Sequence, residues 1–346
     1  MKKEIETIVE NIKSRAKGRA TGFVIGNTSG VFERGPFYAT PLRETHTLMY
    51  GGVIARDVDA AVRIARIVDG KVDYILLDSE KKIEKIYYGK HDVGNMERHV
   101  RQEISRSKIL TYKGNDLTVE AIDLLLGQII GDVGSREIAV IGFGNIGSKI
   151  GLKLVERGAN VRAYRRDQKK LKAIVTGLNL VKSEHTISPI TVAKSIADAC
   201  KGASVVIATA DSRSIISEEH LKGLDLSQAP VLIDVGKGCF SEKIVKGESY
   251  PLYRIDVSMV QKHTFAALRE TAVHYGKSLG RRTIHAHNIK LVSLGLLGKY
   301  GEIIVDDIQK PSIIIGIADG RGALIKHTGK FEKALKKLRE LYSIRA

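Results

Sequence analysis

The sequence predicts an α/β protein whose centre is a parallel β-sheet wound on both faces by helices. From Arg136 onward, short apolar runs alternate with helical patterns at the intervals typical of βαβ units. A glycine-rich turn joins the first of these runs to a helix. The chain has 346 residues, more than one small core usually organises, so we expect a second α/β domain beside the first.

The composition excludes several other classes of protein. Hydrophobic residues make up 43% of the chain and recur in regular clusters, which excludes disorder as the main state. No run of 18 apolar residues occurs, so we expect no membrane span. The two cysteines, Cys200 and Cys239, cannot build a disulfide framework or a four-cysteine zinc site. The start of the chain lacks the apolar core of a signal peptide, and we therefore expect a cytoplasmic protein.

The net charge of +17 favours anionic ligands. The basic residues are spread along the chain, tryptophan is absent and only 5% of residues are aromatic, so a stacking platform for nucleic acid is not expected. We expect the protein to bind a small anionic substrate. The sequence leaves the oligomeric state open, with a homodimer as the candidate.

Hydrophobic periodicity gives the elements before Arg136. Asp57 stands where it would cap a helix, and residues 27–41 form a glycine-rich, partly polar stretch. The predicted elements are a helix at 1–17, a strand at 22–25, a helix at 57–68, a strand at 72–77, a helical stretch at 96–105 and a helix at 118–130.

After Arg136 the elements are shorter and alternate. Predicted strands lie at 137–142, 160–164, 204–209, 231–235, 252–257, 303–305 and 312–317. Predicted helices lie at 145–156, 191–201, 259–278 and 330–342. This pattern suggests three segments: an N-terminal substrate domain (1–117), a nucleotide-binding domain (118–280) and a C-terminal tail (281–346) that packs with the N-terminal domain.

The strongest motif is Gly142-Phe143-Gly144-Asn145-Ile146-Gly147. It follows an apolar strand and opens a helix, the context that a dinucleotide-binding G-x-G-x-x-G needs. Gly142 permits the tight turn, Gly144 lets the backbone approach a pyrophosphate, and Gly147 lets the helix lie close to the sheet. Helix N-terminal amides would then hold the pyrophosphate. The motif predicts a Rossmann-type domain and assigns all six residues to cofactor binding.

The end of the next strand indicates which cofactor binds. Enzymes that use NAD place an acidic residue there to bind the ribose, whereas an arginine accommodates the 2′-phosphate of NADP. The chain has Tyr164, Arg165 and Arg166 and then Asp167, so we predict NADP, with an Asp167–ribose contact to NAD as the alternative. Thr209 and Ala210 end a later strand and are predicted to lie beneath the nicotinamide ribose.

Residues 116–257 resemble the NADP-binding domain shared by the shikimate dehydrogenase and glutamyl-tRNA reductase families. The glycine motif, the segment 164–167 and the run 205–210 carry the resemblance. It implies hydride transfer between NADP(H) and a small metabolite. The cysteine motif of glutamyl-tRNA reductases is missing, since no cysteine precedes Cys200, and thioester chemistry is not expected.

The same resemblance implies a substrate-facing lysine and aspartate. Asp116 comes just before a predicted helix, as the family's aspartate does, and Lys81 and Lys82 follow a strand at the matching distance. The residues that flank the family's lysine are missing, as is its N-terminal Ser-x-Ser motif. A charged surface run for the lysines and a helix cap for Asp116 are the alternatives.

His285 and His287 are the next candidates for proton transfer. On a strand their side chains would share one face. No nearby carboxylate or cysteine completes a ligand set, so no metal is predicted.

These observations predict an NADP(H)-dependent oxidoreductase that acts on a small polar metabolite. Two alternatives stay open: a non-catalytic NADP-binding sensor, and an RNA-associated protein on a Rossmann scaffold.

Overall fold

The computed structural model describes residues 1–28, 35–81, 85–87, 90–92, 96–236 and 238–344. The chain divides into two compact units, Met1–Thr264 and Phe265–Ala346. Among the described residues, the first unit contains two largely parallel sheets and a two-stranded antiparallel sheet, and the second unit contains a small mixed sheet. Among the described residues, no helix is long and apolar enough to cross a membrane.

The N-terminal sheet has five strands in the order β2-β3-β1-β4-β7, parallel except for β2. Its core lies between the sheet and the helices α1, α2 and α3. The elements are α1 (Lys2–Ala16), β1 (Ala20–Asn27), β2 (Phe37–Glu44), β3 (Leu48–Ala55), α2 (Val58–Val68), β4 (Tyr74–Asp78), β5 (Lys85–Tyr87), β6 (Lys90–Asp92), α3 (Met96–Glu103) and β7 (Lys108–Tyr112).

The predicted helices and strands of this region are confirmed, but five strands were missed: β2, β3, β5, β6 and β7. Asp57 caps α2, its Oδ1 accepting a hydrogen bond from the amide of Ala60 at 2.8 Å. The glycine-rich, partly polar stretch 27–41 contains the start of β2, and β3 follows it. Two adjacent glycines conceal the strand pattern of β3. A Cβ at Gly52 would lie 2.1 Å from the carbonyl oxygen of Val24, so glycine is needed for the strands to pair.

The second sheet is fully parallel, with the order β10-β9-β8-β11-β12-β13. Counted from its first strand this is 3-2-1-4-5-6, the Rossmann order, and the predicted fold class is confirmed. Its elements are α4 (Gly114–Ile129), β8 (Glu137–Ile141), α5 (Asn145–Glu156), β9 (Asn160–Tyr164), α6 (Gln168–Val181), β10 (Ile190–Val192), α7 (Ile196–Cys200), β11 (Val205–Ala208), α8 (Glu218–Leu221), β12 (Val231–Asp234), α9 (Glu242–Lys246), β13 (Leu252–Arg254) and α10 (Ser258–Lys277).

One predicted helix of this region is wrong in part. The range 191–201 contains the end of the edge strand β10 and only then the short helix α7, which Ser195 caps. The three-residue strand is too short to show a periodicity of its own.

Helices α4 and α5 run in the same direction, side by side. Acidic residues on α4 pair with basic residues on α5, and the partners advance together along both helices. The N-termini of the two helices therefore lie next to each other. The pairs are Asp116–Lys149 (2.5 Å), Glu120–Lys153 (2.5 Å) and Asp123–Arg157.

The unit Phe265–Ala346 is built on a four-stranded sheet in the order β14-β15-β16-β17. The helix α11 packs on it through Leu335 and Leu338. The two predicted strands and the final helix are confirmed. Its elements are β14 (Arg281–Ile284), β15 (Ile289–Ser293), β16 (Ile303–Val305), β17 (Ile314–Ile317) and α11 (Glu332–Tyr342).

The strands that the structure describes, including the two-stranded sheet β5-β6, fall within residues 20–112, 137–254 and 281–317. Each range lies inside one of the three segments expected from the sequence. That those segments are separate domains stays a proposal.

A buried carboxylate fixes the turn between α3 and β7. Asp69 is 6% exposed. It accepts hydrogen bonds from the backbone amides of Ser105, Arg106 and Ser107 at 2.9 to 3.1 Å. Burial alone would raise the pKa of Asp69, but the hydrogen bonds from Ser107, Arg106 and Ser105 outweigh it and lower the pKa to about 2.

The stabilisation from Asp69 should therefore depend on pH. Because its pKa is depressed, the contribution is complete above pH ~4, where the unfolded carboxyl is ionised, and is lost as the pH falls through ~2. We expect Asp69→Asn to lower the free energy of unfolding by about 2 kcal/mol or more at pH 7. Urea unfolding at pH 7 and at pH 2.5 measures this. A difference between the two proteins that does not shrink at the lower pH would contradict the assignment.

Candidate functional site

A cavity of about 650 Å³ opens at the carboxyl ends of the second sheet, around the boundary of β8 and β11. This is where the strand order reverses and where ligands bind in open α/β sheets. Nine of the eleven residues predicted to bind a cofactor line it. They are Gly142, Gly144, Asn145, Ile146, Tyr164, Arg165, Arg166, Thr209 and Ala210.

Positions 142 and 147 must be glycine because neighbouring atoms leave no room for a Cβ at either position. Gly142 has a φ of +95°, and a Cβ there would lie 2.3 Å from the amide nitrogen of Ala210. A Cβ at Gly147 would lie 2.7 Å from Oγ1 of Thr209 and 2.8 Å from the carbonyl oxygen of Gly142. Gly147 does not line the cavity; it lets α5 start close beneath the turn.

Gly144 has a different role, because its surroundings are open. A Cβ added there would meet nothing closer than 3.7 Å, the Nη1 of Arg165. Gly144 also precedes α5, whose first residue, Asn145, is exposed at the cavity. The fold itself does not explain a glycine at this position, whereas a ligand that approaches the helix N-terminus would.

The side chain of Phe143 points away from the cavity. It is fully buried in the core of the second sheet, and a Cβ at Gly151 would lie 2.7 Å from its ring. Only its backbone belongs to the turn: the amide donates to the carbonyl of Tyr164, and the carbonyl accepts from Nη1 of Arg165 at 3.3 Å. A role for Phe143 in holding a cofactor is therefore limited to its main chain.

The end of β9 forms the basic wall of the cavity. Arg165 is half-buried and Arg166 is exposed. Asp167 also lines the cavity, but its Oδ1 caps α6 by accepting a hydrogen bond from the amide of Lys170 at 2.9 Å. Among the ion pairs of the described residues, none involves Arg165 or Arg166. One carboxylate oxygen of Asp167, in contrast, is engaged in capping α6.

The opposite wall comes from the end of β11. The hydroxyl of Thr209 donates to the carbonyl of Gly142 at 2.7 Å, which ties this wall to the glycine turn. Beneath it, the thiol of Cys239 donates to the carbonyl of Ala210 at 3.3 Å. Burial, followed by the charge of Asp234, raises the pKa of Cys239 to about 11, so this thiol is not a nucleophile at neutral pH.

Sequence reasoning missed several lining residues. Asp211, Ser212 and Val235 directly follow β11 and β12, and the rule that ligands sit at carboxyl ends of strands could have found them. Asn115, Ile196 and Ile215 reach the cavity from elements distant in sequence, and no local pattern indicates them.

Asp116 lies close to the cavity but is not paired with Lys81. Its carboxylate accepts from Lys149 at 2.5 Å and from Lys113 at 3.2 Å. Burial would raise the pKa of Asp116, and these two ammonium groups lower it below its ordinary value. Helix α4 begins at Gly114, earlier than predicted, so Asp116 lies in its first turn and not at its cap.

Of the two predicted lysines, Lys81 is exposed, and the ion pairs of the described residues do not include it. Lys82 lies outside the described residues.

His285 and His287 do not lie on a strand. They form a short 3₁₀ turn between β14 and β15, and both are exposed. The expectation that they share the face of a strand is therefore wrong, because the chain reverses there. The described residues contain no group of three or more His, Cys, Asp or Glu that could hold a metal ion.

Residues 137–238 match a family model described as "NADP oxidoreductase coenzyme F420-dependent". The match covers the glycine turn, both arginines and the end of β11. It supports an oxidoreductase that uses NAD(P).

Solved structures are similar over larger parts of the chain, at low identity. The ornithine carbamoyltransferase from Pyrococcus furiosus is 10% identical with a TM-score of 0.40, over 79% of this chain and 93% of that one. The enzyme from Gloeobacter violaceus is 13% identical with a TM-score of 0.44, over 77% and 93%. Glutamyl-tRNA reductase from Methanopyrus kandleri is 16% identical with a TM-score of 0.35, over 44% and 38%. No curated protein sequence matches.

At a TM-score of 0.35, the similarity to glutamyl-tRNA reductase does not test the resemblance to that family expected from the sequence. The resemblance to shikimate dehydrogenases stays a prediction. At these TM-scores, the similarity to carbamoyltransferases supports no conclusion about the activity of this chain.

The contact between Gly142 and Ala210 gives a stability prediction. We expect Gly142→Ala to lower the free energy of unfolding by about 2 kcal/mol or more, since a left-handed alanine costs roughly 1–2 kcal/mol and the new methyl would also collide with Ala210. Gly127→Ala is the control: it lies inside α4 with open space around it and should stabilise by about 0.5–1 kcal/mol. Urea unfolding compares them, and a Gly142→Ala protein as stable as the wild type would refute the close approach.

Proposed function

We propose that the protein is an NADP(H)-dependent oxidoreductase that binds its cofactor in this cavity and acts on a small polar metabolite. One observation carries the proposal: the cavity lies at the strand-order reversal of a Rossmann sheet, with the N-terminus of α5 and an open glycine at its base. The family match of residues 137–238 supports it.

The residues at the cavity fit a dinucleotide. The empty space over Gly144 suits a pyrophosphate, and the amides at the start of α5 would donate to it. The side-by-side N-terminus of α4 adds a second positive helix end on the same side. Thr209 and Ala210 would lie against the ribose next to the nicotinamide.

The two arginines support NADP over NAD. Arg165 and Arg166 would bind the 2′-phosphate through charge-assisted hydrogen bonds. Asp167 is the group that would bind the ribose of NAD, and its use as the cap of α6 disfavours that role.

The bound nicotinamide would supply or accept a hydride. The chain must then stabilise charge on the substrate oxygen. Asp116, and secondarily Glu80, raises the pKa of Lys113, so that this ammonium stays protonated at neutral pH. Lys113 is therefore suited to donate a hydrogen bond to the substrate and unsuited to act as a base. We propose this role for Lys113 in place of the pairing of Asp116 with Lys81 or Lys82 that the sequence suggested.

The first test concerns Gly144. We expect Gly144→Val to abolish binding of NADPH and NADH, because its side chain would fill the space of the pyrophosphate. The free energy of unfolding without ligand should stay within about 1 kcal/mol of the wild type, since no neighbour is close. Calorimetric titration and urea unfolding measure the two effects. Undiminished NADPH binding would exclude the cavity as the cofactor site.

The second test concerns the arginines. We expect the wild type to bind NADPH at least about tenfold more tightly than NADH, because charge-assisted hydrogen bonds contribute roughly 1.5–3 kcal/mol. The double change Arg165→Ala and Arg166→Ala should remove this preference and leave NADH binding unchanged. Lys172→Ala, an exposed lysine on α6, controls for the general positive field.

Equal affinities for the two cofactors in the wild type would favour the Asp167 alternative. Cofactor binding without turnover of any metabolite would favour a sensor.

A further inference from the structure

A cavity of about 510 Å³ lies at the amino ends of the N-terminal sheet, where β1, β4 and β7 begin. This is the edge opposite to the carboxyl ends, at which α/β enzymes bind their substrates. Its volume is within the range of small-molecule sites, roughly 300–1,000 Å³. Four of its lining residues are basic, Lys13, Lys71, Arg106 and Lys108, and one is acidic, Asp73.

Hydrogen bonds join the two loops that form the floor of this cavity. The amide of Gly70 donates to the hydroxyl oxygen of Ser107 at 2.9 Å, and that hydroxyl donates to the carbonyl oxygen of Val72 at 2.7 Å. The amide of Lys108 donates to the carbonyl oxygen of Asp73 at 2.9 Å. The loop after α2 and the turn before β7 are therefore fixed to each other, and a ligand would meet a preformed site.

The guanidinium group of Arg106 is held above the backbone of Gly70. Its Nη2 donates to the carbonyl oxygen of Asp69 at 3.0 Å, and its Nε lies 3.5 Å from the carboxylate of the same residue. Gly70 has a φ of +74°, and a Cβ there would lie 2.7 Å from Nε of Arg106, so glycine leaves the room that the guanidinium group needs. The side chain of Arg106 is nevertheless 72% exposed, and its Nη1 makes no hydrogen bond to the described residues. Donors of a positioned arginine therefore face the cavity.

Two lysines add positive charge that no carboxylate of the described residues balances in an ion pair. Lys13 lies near the end of α1 and Lys108 at the start of β7, and both are exposed. Lys71 differs from them, because its ammonium group donates to Glu6 at 2.8 Å. Lys13 and Lys108 are therefore the ammonium groups of this cavity that remain available to an anionic ligand.

The one acidic lining residue is engaged by its neighbour. The Oδ2 of Asp73 accepts hydrogen bonds from the amide and the hydroxyl of Thr21, at 2.7 and 2.8 Å. Its single charge is outnumbered by those of Lys13 and Lys108, so the cavity stays positive.

We propose that this cavity binds a small phosphorylated molecule, whose phosphate accepts hydrogen bonds from Arg106, Lys13 and Lys108. These cations reach the cavity from three places: α1, the turn before β7, and β7 itself. A phosphate presents acceptor oxygens in several directions, whereas a carboxylate presents two in one plane, and the fork of an arginine matches phosphate geometry. The proposal does not depend on the proposed function, since the cavity shares no lining residue with the cofactor cavity.

Amide NMR of the deuterated, ¹⁵N-labelled chain tests the proposal, with inorganic pyrophosphate as the probe and the ionic strength kept constant with sodium chloride. The amides of Gly70 and Arg106 report on this cavity, and the amide of Gly144 reports on the cofactor cavity. We expect the Gly70 and Arg106 signals to shift and to saturate. The double change Lys13→Gln and Lys108→Gln should raise the dissociation constant measured at Gly70 about tenfold or more, because two charge-assisted hydrogen bonds are lost.

The matched control is the double change Lys333→Gln and Lys336→Gln on α11. It removes the same charge at two exposed lysines that form no ion pair among the described residues, and it should leave the dissociation constant unchanged. An equal weakening in the control would show that only the general positive field attracts the probe, and would overturn the proposal.

Three further results would also overturn it. The first is an affinity that survives the loss of Lys13 and Lys108. The second is a set of shifts confined to Gly144, which would place pyrophosphate in the cofactor cavity alone. The third is a response of Gly70 and Arg106 to oligouridylate but not to pyrophosphate, which would make this surface a contact for nucleic acid rather than a site for a small phosphorylated molecule.

Discussion

The close contact between the glycine turn and the end of β11 is the constraint on which the site depends. Gly142 approaches Ala210 so closely that no side chain fits between them, and the hydroxyl of Thr209 bonds to the same turn. Because the turn is held there, α5 starts close to the sheet, and its first two residues, Asn145 and Ile146, line the cavity. Gly144 is the one glycine of the motif that the contact leaves in open space, and the proposed pyrophosphate site follows from that difference.

The second organising feature is electrostatic. Helices α4 and α5 are parallel, an arrangement in which their dipoles repel, and the acidic residues of α4 pair with the basic residues of α5. Both N-termini consequently face the same region, beside the two arginines that follow β9. The first turn of α4 also contributes Asn115 to the cofactor cavity.

Much of the fold was predictable because its signals are local. The glycine motif with its flanking strand and helix identified the Rossmann sheet, and nine of the eleven predicted cofactor residues line the cavity. The failures have physical causes. Strand β3 is buried on both faces and contains paired glycines, so it shows neither alternation nor strand propensity. The partners of Asp116 were unpredictable, because Lys149 belongs to a helix that only tertiary packing brings beside α4. Phe143 lies within the motif, yet its ring is part of the core.

Binding of a 2′-phosphate by the arginines after β9 is central to the proposed function. The phosphorus resonance of that group tests this directly, since the dianion of a free phosphomonoester takes up a proton near pH ~6. Phosphorus NMR of bound NADPH across pH 5 to 8 should show a 2′-phosphate that stays dianionic well below pH ~6, because two guanidinium groups favour the charged form. A bound 2′-phosphate that titrates as it does in free NADPH would show that the arginines do not contact it, and would contradict the assignment.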